Sequence, residues 1–197
     1  PQHRRRLPSA PAHEVPAATL LARRNAAATG FGTLIHALFE QLSWLDEEPL
    51  DHVVARWRTN HPDAPTDLLE RAERDVRNCL NAPSVRRLFT RPDGPVDVRR
   101  EQPFELLLDG RWVSGVFDRV VLRGDGGGGE WQAEIVDFKS DRVNDDASLS
   151  RAVESHRPQM QLYRKALARI TGIPRERVSA ILLFTGVRTI VNTVPTE

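Results

Sequence analysis

The segment EIVDFKSDR, residues 134–142, most constrains what this chain can fold into. Its first five residues have the apolar and aromatic character of a buried strand. Side chains alternate between the two faces of a strand, so Asp137 and Lys139 share one face with Ala133 and Ile135. A carboxylate is costly to bury among aliphatic side chains unless a nearby charge compensates it. Two interpretations are open: a charged site at the end of a core strand, or an exposed ion pair on an edge strand.

A second aspartate lies on an equally apolar strand face. In GVFDRVVL, residues 115–122, Asp118 shares a face with Val116, Val120 and Leu122. If the glycine-rich segment between these strands turns symmetrically about residues 127–128, Asp118 lies directly opposite Asp137. Opposed residues of an antiparallel pair have Cβ atoms about 4.5–5.5 Å apart, where like charges repel, although a slip of one residue would separate them. This register favours a divalent cation, and Mg²⁺ and Mn²⁺ prefer such oxygen ligands.

Two predicted helices carry further candidate side chains. On the first, Gly32, His36, Glu40 and Ser43 form a stripe opposite the apolar one. His36 is therefore either solvated or turned towards a cleft. On a later helix, Gln159 and Tyr163 are neighbours on one face. Tyr163 is equally compatible with an ordinary core stripe, which it would share with Ala166, Leu167 and Ile170.

The order of elements predicts a mixed α+β domain. Residues 1–29 have the composition of a linker or extended arm, and residues 30–197 form the domain. Its helical part covers about residues 30–95, and its sheet core covers about 96–197. Three strands are expected over 96–108, 111–122 and 132–138, followed by a helix over 148–171 and two more strands. Thr66 or Asp67 is the expected cap of the third helix.

Composition narrows the classes of function. The chain has 28 Lys and Arg against 27 Asp and Glu, for a net charge of +1, which is not the profile of a protein that holds DNA by bulk charge. Local contacts to phosphate are expected instead, with candidates at Arg119, Arg142, Arg157 and Arg164. One cysteine forms no disulfide within the chain and indicates a reducing compartment. No segment predicts a membrane span, a secretory signal or a GxxxxGK[ST] phosphate loop, so we expect neither a membrane partner nor a bound nucleotide.

Taken together and in order, four motifs resemble the RecB-type nucleases of the PD-(D/E)XK superfamily, such as the nuclease domain at the C-terminal end of RecB and AddA helicase–nucleases. GTLIHALFE resembles the family's G-x-x-x-H helix and GVFDRVVL its G-x-x-D strand. IVDFKSDR resembles the D-x-K strand, and RPQMQLYRKAL the Q-x-x-x-Y helix. The segment EQPFEL resembles the strand that precedes the first aspartate. The resemblance implies a restriction-endonuclease-like core, in which a central mixed sheet is flanked by helices.

The same resemblance implies roles for individual residues. His36, Asp118, Asp137 and the carbonyl of Phe138 are the expected metal ligands, and Lys139 is the expected catalytic lysine. Gln159 and Tyr163 are expected to steady the site and the DNA strand. The implied metal is Mg²⁺ or Mn²⁺. No iron–sulfur cluster is expected, because the family branches that carry one use four cysteines.

The implied function is hydrolysis of DNA, preferably single-stranded, by the nuclease part of a repair or recombination helicase–nuclease in the bacterial cytoplasm near the nucleoid. The helicase motor would lie in the same polypeptide or in a partner protein. Two alternatives stay open: a non-catalytic DNA-binding or scaffolding module, and a stand-alone nuclease. The intact set of Asp118, Asp137 and Lys139 favours an enzyme.

Overall fold

The computed structural model describes residues 30–126 and 129–193. The predicted arm over residues 1–29 and the centre of the glycine-rich loop lie outside these ranges. Four helices come first, followed by three strands, a long helix, a 3₁₀ turn and two strands. They are α1 (Gly30–Gln41), α2 (Leu50–Thr59), α3 (Thr66–Asn81), α4 (Pro83–Arg87), β1 (Val96–Leu108), β2 (Arg111–Gly124), β3 (Trp131–Lys139), α5 (Asp146–Thr171), the turn Arg175–Arg177, β4 (Val178–Phe184) and β5 (Thr189–Asn192).

The five strands form one mixed sheet in the order β1-β2-β3-β4-β5. Only the β3–β4 pair is parallel, and α5 makes the crossover between these two strands. The predicted fold class, a mixed sheet flanked by helices, is confirmed. Among the described residues, no helix is both long and apolar enough to cross a membrane.

Alternate residues of the central strands pack into two separate hydrophobic cores, one on each face of the sheet. Val136 and Phe138 pack with helices α1 to α4 on one face of the sheet. Ile135 and Ala133 pack with α5 on the other face. Strands buried on both faces are nearly continuously apolar, so the charged residues at the end of β3 stand out against their surroundings.

The ends of two helices show how local sequence sets the boundaries. Asp145 caps α5 by accepting a hydrogen bond from the backbone of Ser148, and Gly172 ends it in the left-handed region at φ 73°. The cap predicted for α3 at Thr66 or Asp67 is wrong. The capping position is Pro65, with no side-chain cap, because the helix begins immediately after this proline.

The register between β2 and β3 is the predicted one. Arg119 pairs with Val136 and Gly124 pairs with Trp131, so the glycine-rich loop joins the strands symmetrically. The β1–β2 turn at Asp109 and Gly110 has φ values of 49° and 76°, as a tight two-residue hairpin requires.

The sheet forks beyond the Arg119–Val136 pair. The β2–β3 ladder stops there, whereas the β1–β2 ladder continues to the pair of Leu108 with Arg111. The β1–β2 hairpin therefore projects as an arm that is no longer bonded to β3. Asp118 and Asp137 are the first residues past the last β2–β3 pair, so both lie at the fork.

Gly115 allows the β1–β2 arm to lie close to α5. A Cβ atom at this position would lie 2.8 Å from Cζ of Phe104 and 3.3 Å from Cε1 of Tyr163. The two rings contact each other edge to face. The glycine of the G-x-x-D motif thus makes room for two aromatic rings beside the fork.

We predict that Gly115→Ala lowers the free energy of unfolding by about 1–3 kcal/mol, because packed rings must shift to admit the methyl group. Urea unfolding followed by circular dichroism measures this change. The control is Gly186→Ala, since Gly186 has no described atom within 4 Å of an added Cβ and its φ is not positive. Equal stability of both variants would show that Gly115 is not needed for this packing.

Candidate active site

The fork brings the two predicted aspartates together in the interior. Asp118 is 6% exposed and Asp137 is 2% exposed. Oδ2 of Asp137 is buried, and the ammonium of Lys139 lies 2.6 Å from it. Two carboxylates this deeply buried need a positive charge or hydrogen-bond donors nearby.

The backbone of Phe138 points into the opening of the fork. Its N–H donates to Oδ2 of Asp118 at 2.8 Å, in place of a bond to strand β2. The carbonyl of Lys139, one residue on, accepts from the N–H of Thr185 on the β4 side. Because successive residues of a strand direct their carbonyls to opposite sides, the carbonyl of Phe138 faces the β2 side. The predicted carbonyl ligand therefore lies on the same side of β3 as Asp118, and its role as a ligand stays a prediction.

Helix α1 brings His36 over Asp118. Nδ1 of His36 lies 3.6 Å from Oδ2 of Asp118, and its side chain is 26% exposed. The imidazole also contacts the ring of Phe138 edge on. His36 is therefore not simply solvated, because its ring lies beside Asp118 and Phe138 at the fork.

Gly32 allows the start of α1 to approach the end of β3. A Cβ atom at Gly32 would lie 2.7 Å from Oγ of Ser140. This contact explains the glycine of the G-x-x-x-H motif, which sits one helical turn before the histidine.

Lys139 connects the carboxylates to α5. Its Nζ lies 2.6 Å from Oδ2 of Asp137 and donates to Oε1 of Gln159 at 3.0 Å. Nε2 of Gln159 donates to the hydroxyl of Tyr163, also at 3.0 Å. The structure thus joins four predicted residues in one chain of contacts.

Tyr163 serves the core and this chain at once. Its ring packs edge to face against Phe104 and Phe117 in the core beneath α5. The core interpretation of this tyrosine is confirmed, and its role in the site stays a prediction. The proposed core stripe is wrong at Ile170, which is 46% exposed at the far end of the helix.

The electrostatics of the pair favour a bound cation. Burial raises the pKa of Asp118 well above its usual value, and the charge of Asp137 raises it further, against the stabilising N–H of Phe138. For Lys139, burial alone would lower the pKa, but the carboxylates, with Asp137 first, outweigh it and raise the pKa. The Lys139 ammonium therefore supplies positive charge and is not poised as a base.

The donor set suits a hard divalent cation, although it is not closed around one. It comprises two carboxylates, a backbone carbonyl and an imidazole, which are the ligand types of Mg²⁺ and Mn²⁺ sites. Within the part of the chain that the structure describes, no three His, Cys, Asp or Glu side chains are grouped so as to hold a metal ion.

Two acidic residues beside the site were not predicted. Glu101 lies opposite Asp118 where the β1–β2 ladder skips a pair, has φ 46°, and adds to the charge that raises the pKa of Asp118. Asp141 accepts from His156 at 3.1 Å, one turn before Gln159 on α5. The strand register would have revealed Glu101, whereas the approach of His156 depends on how α5 lies across the sheet.

Two of the four predicted phosphate contacts are wrong. Arg119 is 1% exposed and Arg164 is 9% exposed. Their guanidinium groups donate to backbone carbonyls of the protein. Arg157 pairs with Glu154, whereas Arg142 is exposed just beyond the D-x-K strand.

The comparison with protein families shows which family the chain belongs to. Residues 10–193 match the sequence model of the PD-(D/E)XK nuclease superfamily. The chain belongs to the PD-(D/E)XK nuclease superfamily. The assignment of Asp118, Asp137 and Lys139 to the D…D-x-K pattern of this superfamily stays a prediction, and all three residues lie at the fork.

Two curated proteins, both named as ATP-dependent helicase/nuclease subunits, are similar to part of this PD-(D/E)XK chain. The one from Limosilactobacillus fermentum is 27% identical over 114 residues, which are 49% of this chain and 8% of that protein. The one from Limosilactobacillus reuteri is 32% identical over 103 residues, which are 47% of this chain and 7% of that protein. Each match thus spans only a small part of a much longer relative.

We predict that Asp118→Asn stabilises the metal-free protein at mildly alkaline pH, by about 1.4 kcal/mol for each pH unit by which the folded-state pKa of Asp118 exceeds its ordinary value. A raised folded-state pKa means that the folded protein binds more protons than the unfolded chain. Stability in EDTA therefore falls as pH rises from the ordinary carboxyl pKa through the folded one. Asparagine keeps an acceptor for the N–H of Phe138 and removes this dependence.

Urea unfolding in EDTA across that pH range measures the effect. The control is Asp63→Asn, at an exposed loop position, which should change stability by less than about 0.5 kcal/mol. A less stable Asp118→Asn protein at every pH would mean that the carboxylate is not destabilising in the empty site.

Proposed function

We propose that this chain is a divalent-metal-dependent deoxyribonuclease that hydrolyses phosphodiester bonds. The observation that carries the proposal is the convergence of Asp118, Asp137 and Lys139 at the fork. Burying two carboxylates and a lysine at a strand end lowers the stability of the fold. A protein that served only as a scaffold would gain nothing from this arrangement. The same cost argues against a non-catalytic module.

Asp118, Asp137, the carbonyl of Phe138 and His36 would hold Mg²⁺ or Mn²⁺. Such a cation supplies a nucleophile near neutral pH by lowering the pKa of bound water, and it relieves negative charge on the phosphate. The nitrogen ligand His36 favours Mn²⁺ over Mg²⁺.

Lys139 would act on the substrate as a cation. Its ammonium lies next to the carboxylates, where the scissile phosphate must approach, and it offsets the charge that develops on the phosphate oxygens. Gln159 holds this ammonium by its carbonyl oxygen. Tyr163 fixes the amide of Gln159, so the lysine is orientated from a packed core and not from solvent.

The proposed substrate is a single strand of DNA delivered by a helicase motor. The chain is nearly neutral, and among the candidate phosphate contacts Arg119 and Arg164 are buried. Because non-specific affinity grows with the number of Lys and Arg contacts, we expect weak binding of DNA by this chain alone. The helicase/nuclease names of both relatives support a motor in the same polypeptide or in a partner protein. A cytoplasmic location is part of the same proposal.

We predict that the Lys139→Ala variant does not cleave labelled single-stranded DNA. The same variant should bind Mn²⁺ at least as tightly as the wild type. The reason is that the variant loses the cation over the phosphate, yet it also loses a positive charge 2.6 Å from Asp137. Calorimetric Mn²⁺ titration and a gel assay in Mn²⁺, Mg²⁺ or EDTA measure the two effects.

Lys165→Ala is the matched control, because Lys165 is the only other lysine and pairs with Asp109 on the surface. It should cleave like the wild type. Full activity of Lys139→Ala would remove this lysine from the mechanism. Wild-type cleavage that persists in EDTA would refute metal dependence, and equal rates for this chain and a motor fusion would favour a stand-alone nuclease.

A further inference from the structure

The C-terminal end of helix α1 is held by an arginine from β1. The last carbonyls of a helix have no partners within it, and here those of Glu40 and Gln41 accept from one guanidinium nitrogen of Arg100 at 3.0 and 3.1 Å. Glu40 lies one turn after His36 on the same stripe. Arg100 therefore binds the backbone of the turn that follows the histidine.

A second arginine, from β2, binds the next two carbonyls. Arg119 donates from its two terminal nitrogens to the carbonyls of Leu42 at 2.9 Å and Ser43 at 2.7 Å. Its guanidinium lies 4.7 Å from the ring centroids of both Trp44 and Phe89. Four successive carbonyls, two in the last turn of α1 and two just beyond it, are thus bound by two side chains of the sheet.

The two arginines are directly opposed across the β1–β2 ladder. Like charges in opposed positions destabilise a sheet. The negative end of a helix compensates them, because the macrodipole places partial negative charge on these carbonyls. Arg119 is also the residue next to Asp118. Strand β2, which carries Asp118, is therefore hydrogen-bonded to the end of α1, which carries His36.

The start of α1 is fixed by a different contact. Gly32 packs against Ser140, the residue that follows Lys139. Helix α1 therefore lies close to the end of β3 on one side of His36 and is bonded to β1 and β2 on the other. Together with the core packing of α1, these contacts set where the imidazole lies relative to Asp118.

We propose that Arg100 and Arg119 are positioning residues of the nuclease site. They hold α1 in register with β2, so that His36 stays within reach of a cation bound by Asp118. This role rests on the proposed metal-dependent function. It differs from a general role in stability because its effect must pass through His36.

Arg100→Ala is the informative variant, since Arg100 is exposed and its loss leaves the core intact. Arg119 is buried, and its variants risk unfolding the protein. The matched control is Arg99→Ala, because Arg99 neighbours Arg100 on the same strand but pairs with Asp97. Three quantities are measured for each variant: the free energy of unfolding, the calorimetric Kd for Mn²⁺, and the NMR shifts of the His36 and His156 rings.

Arg100→Ala should weaken Mn²⁺ binding about tenfold, the lower end of the effect seen when a partner that orients a metal ligand is removed. It should also move the His36 ring resonances and leave those of His156, on α5, in place. Arg99→Ala should do neither. In a His36→Ala background, Arg100→Ala should cause no further loss of Mn²⁺ affinity.

Unchanged Mn²⁺ affinity in Arg100→Ala, or an equal loss with and without His36, would overturn the positioning role. The function itself is tested separately by the wild type. If the wild type binds no Mn²⁺, the proposed metal-dependent function fails, and the His36 resonances then decide whether Arg100 positions the helix. A His36 spectrum unchanged by Arg100→Ala would refute it.

Discussion

The hydrogen bond from the N–H of Phe138 to the carboxylate of Asp118 is the contact on which the site depends. Beyond the last β2–β3 pair, the N–H of Phe138 has no backbone carbonyl of β2 to bond. The carboxylate of Asp118, a side chain of β2, accepts from it instead. The bond satisfies a buried donor and links β2 to β3 at the fork, where the two strands make no further backbone pair. The carbonyl of the same residue faces the β2 side of the strand, on which Asp118 lies.

The negative charge around this bond exceeds the positive charge. The surplus destabilises the metal-free protein and favours the binding of a cation. Burial and the neighbouring Asp137 raise the pKa of Asp118, and Lys139 compensates only part of the negative charge. A site with surplus negative charge costs free energy when it is empty and gains it when a cation binds. Strain and unfavourable charge of this kind concentrate at functional sites.

The aromatic and glycine residues around the fork make this arrangement possible. Gly115 admits the rings of Phe104 and Tyr163, and Gly32 admits Ser140. Tyr163 then holds Gln159, which holds Lys139. The orientation of the lysine thus traces back to packing between the β1–β2 arm and α5.

Much of this architecture could be predicted from alternation and turn symmetry. The glycine-rich loop predicted the β2–β3 register, and the register predicted that Asp118 and Asp137 would meet. What could not be predicted depends on contacts between distant elements. Arg119 appeared to be a basic residue available to phosphate, yet it is buried between Trp44 and Phe89 because the end of α1 lies over β2. The bond between Asp141 and His156 likewise arises only once α5 crosses the sheet.

We propose that the two carboxylates at the fork bind one divalent cation together. The most direct measurement is anomalous diffraction from crystals of this chain soaked in Mn²⁺. We expect a peak within bonding distance of a carboxylate oxygen of Asp118, one of Asp137 and the carbonyl oxygen of Phe138, with the imidazole of His36 turned towards it. A peak elsewhere, or none between these oxygens at saturating Mn²⁺, would contradict the claim.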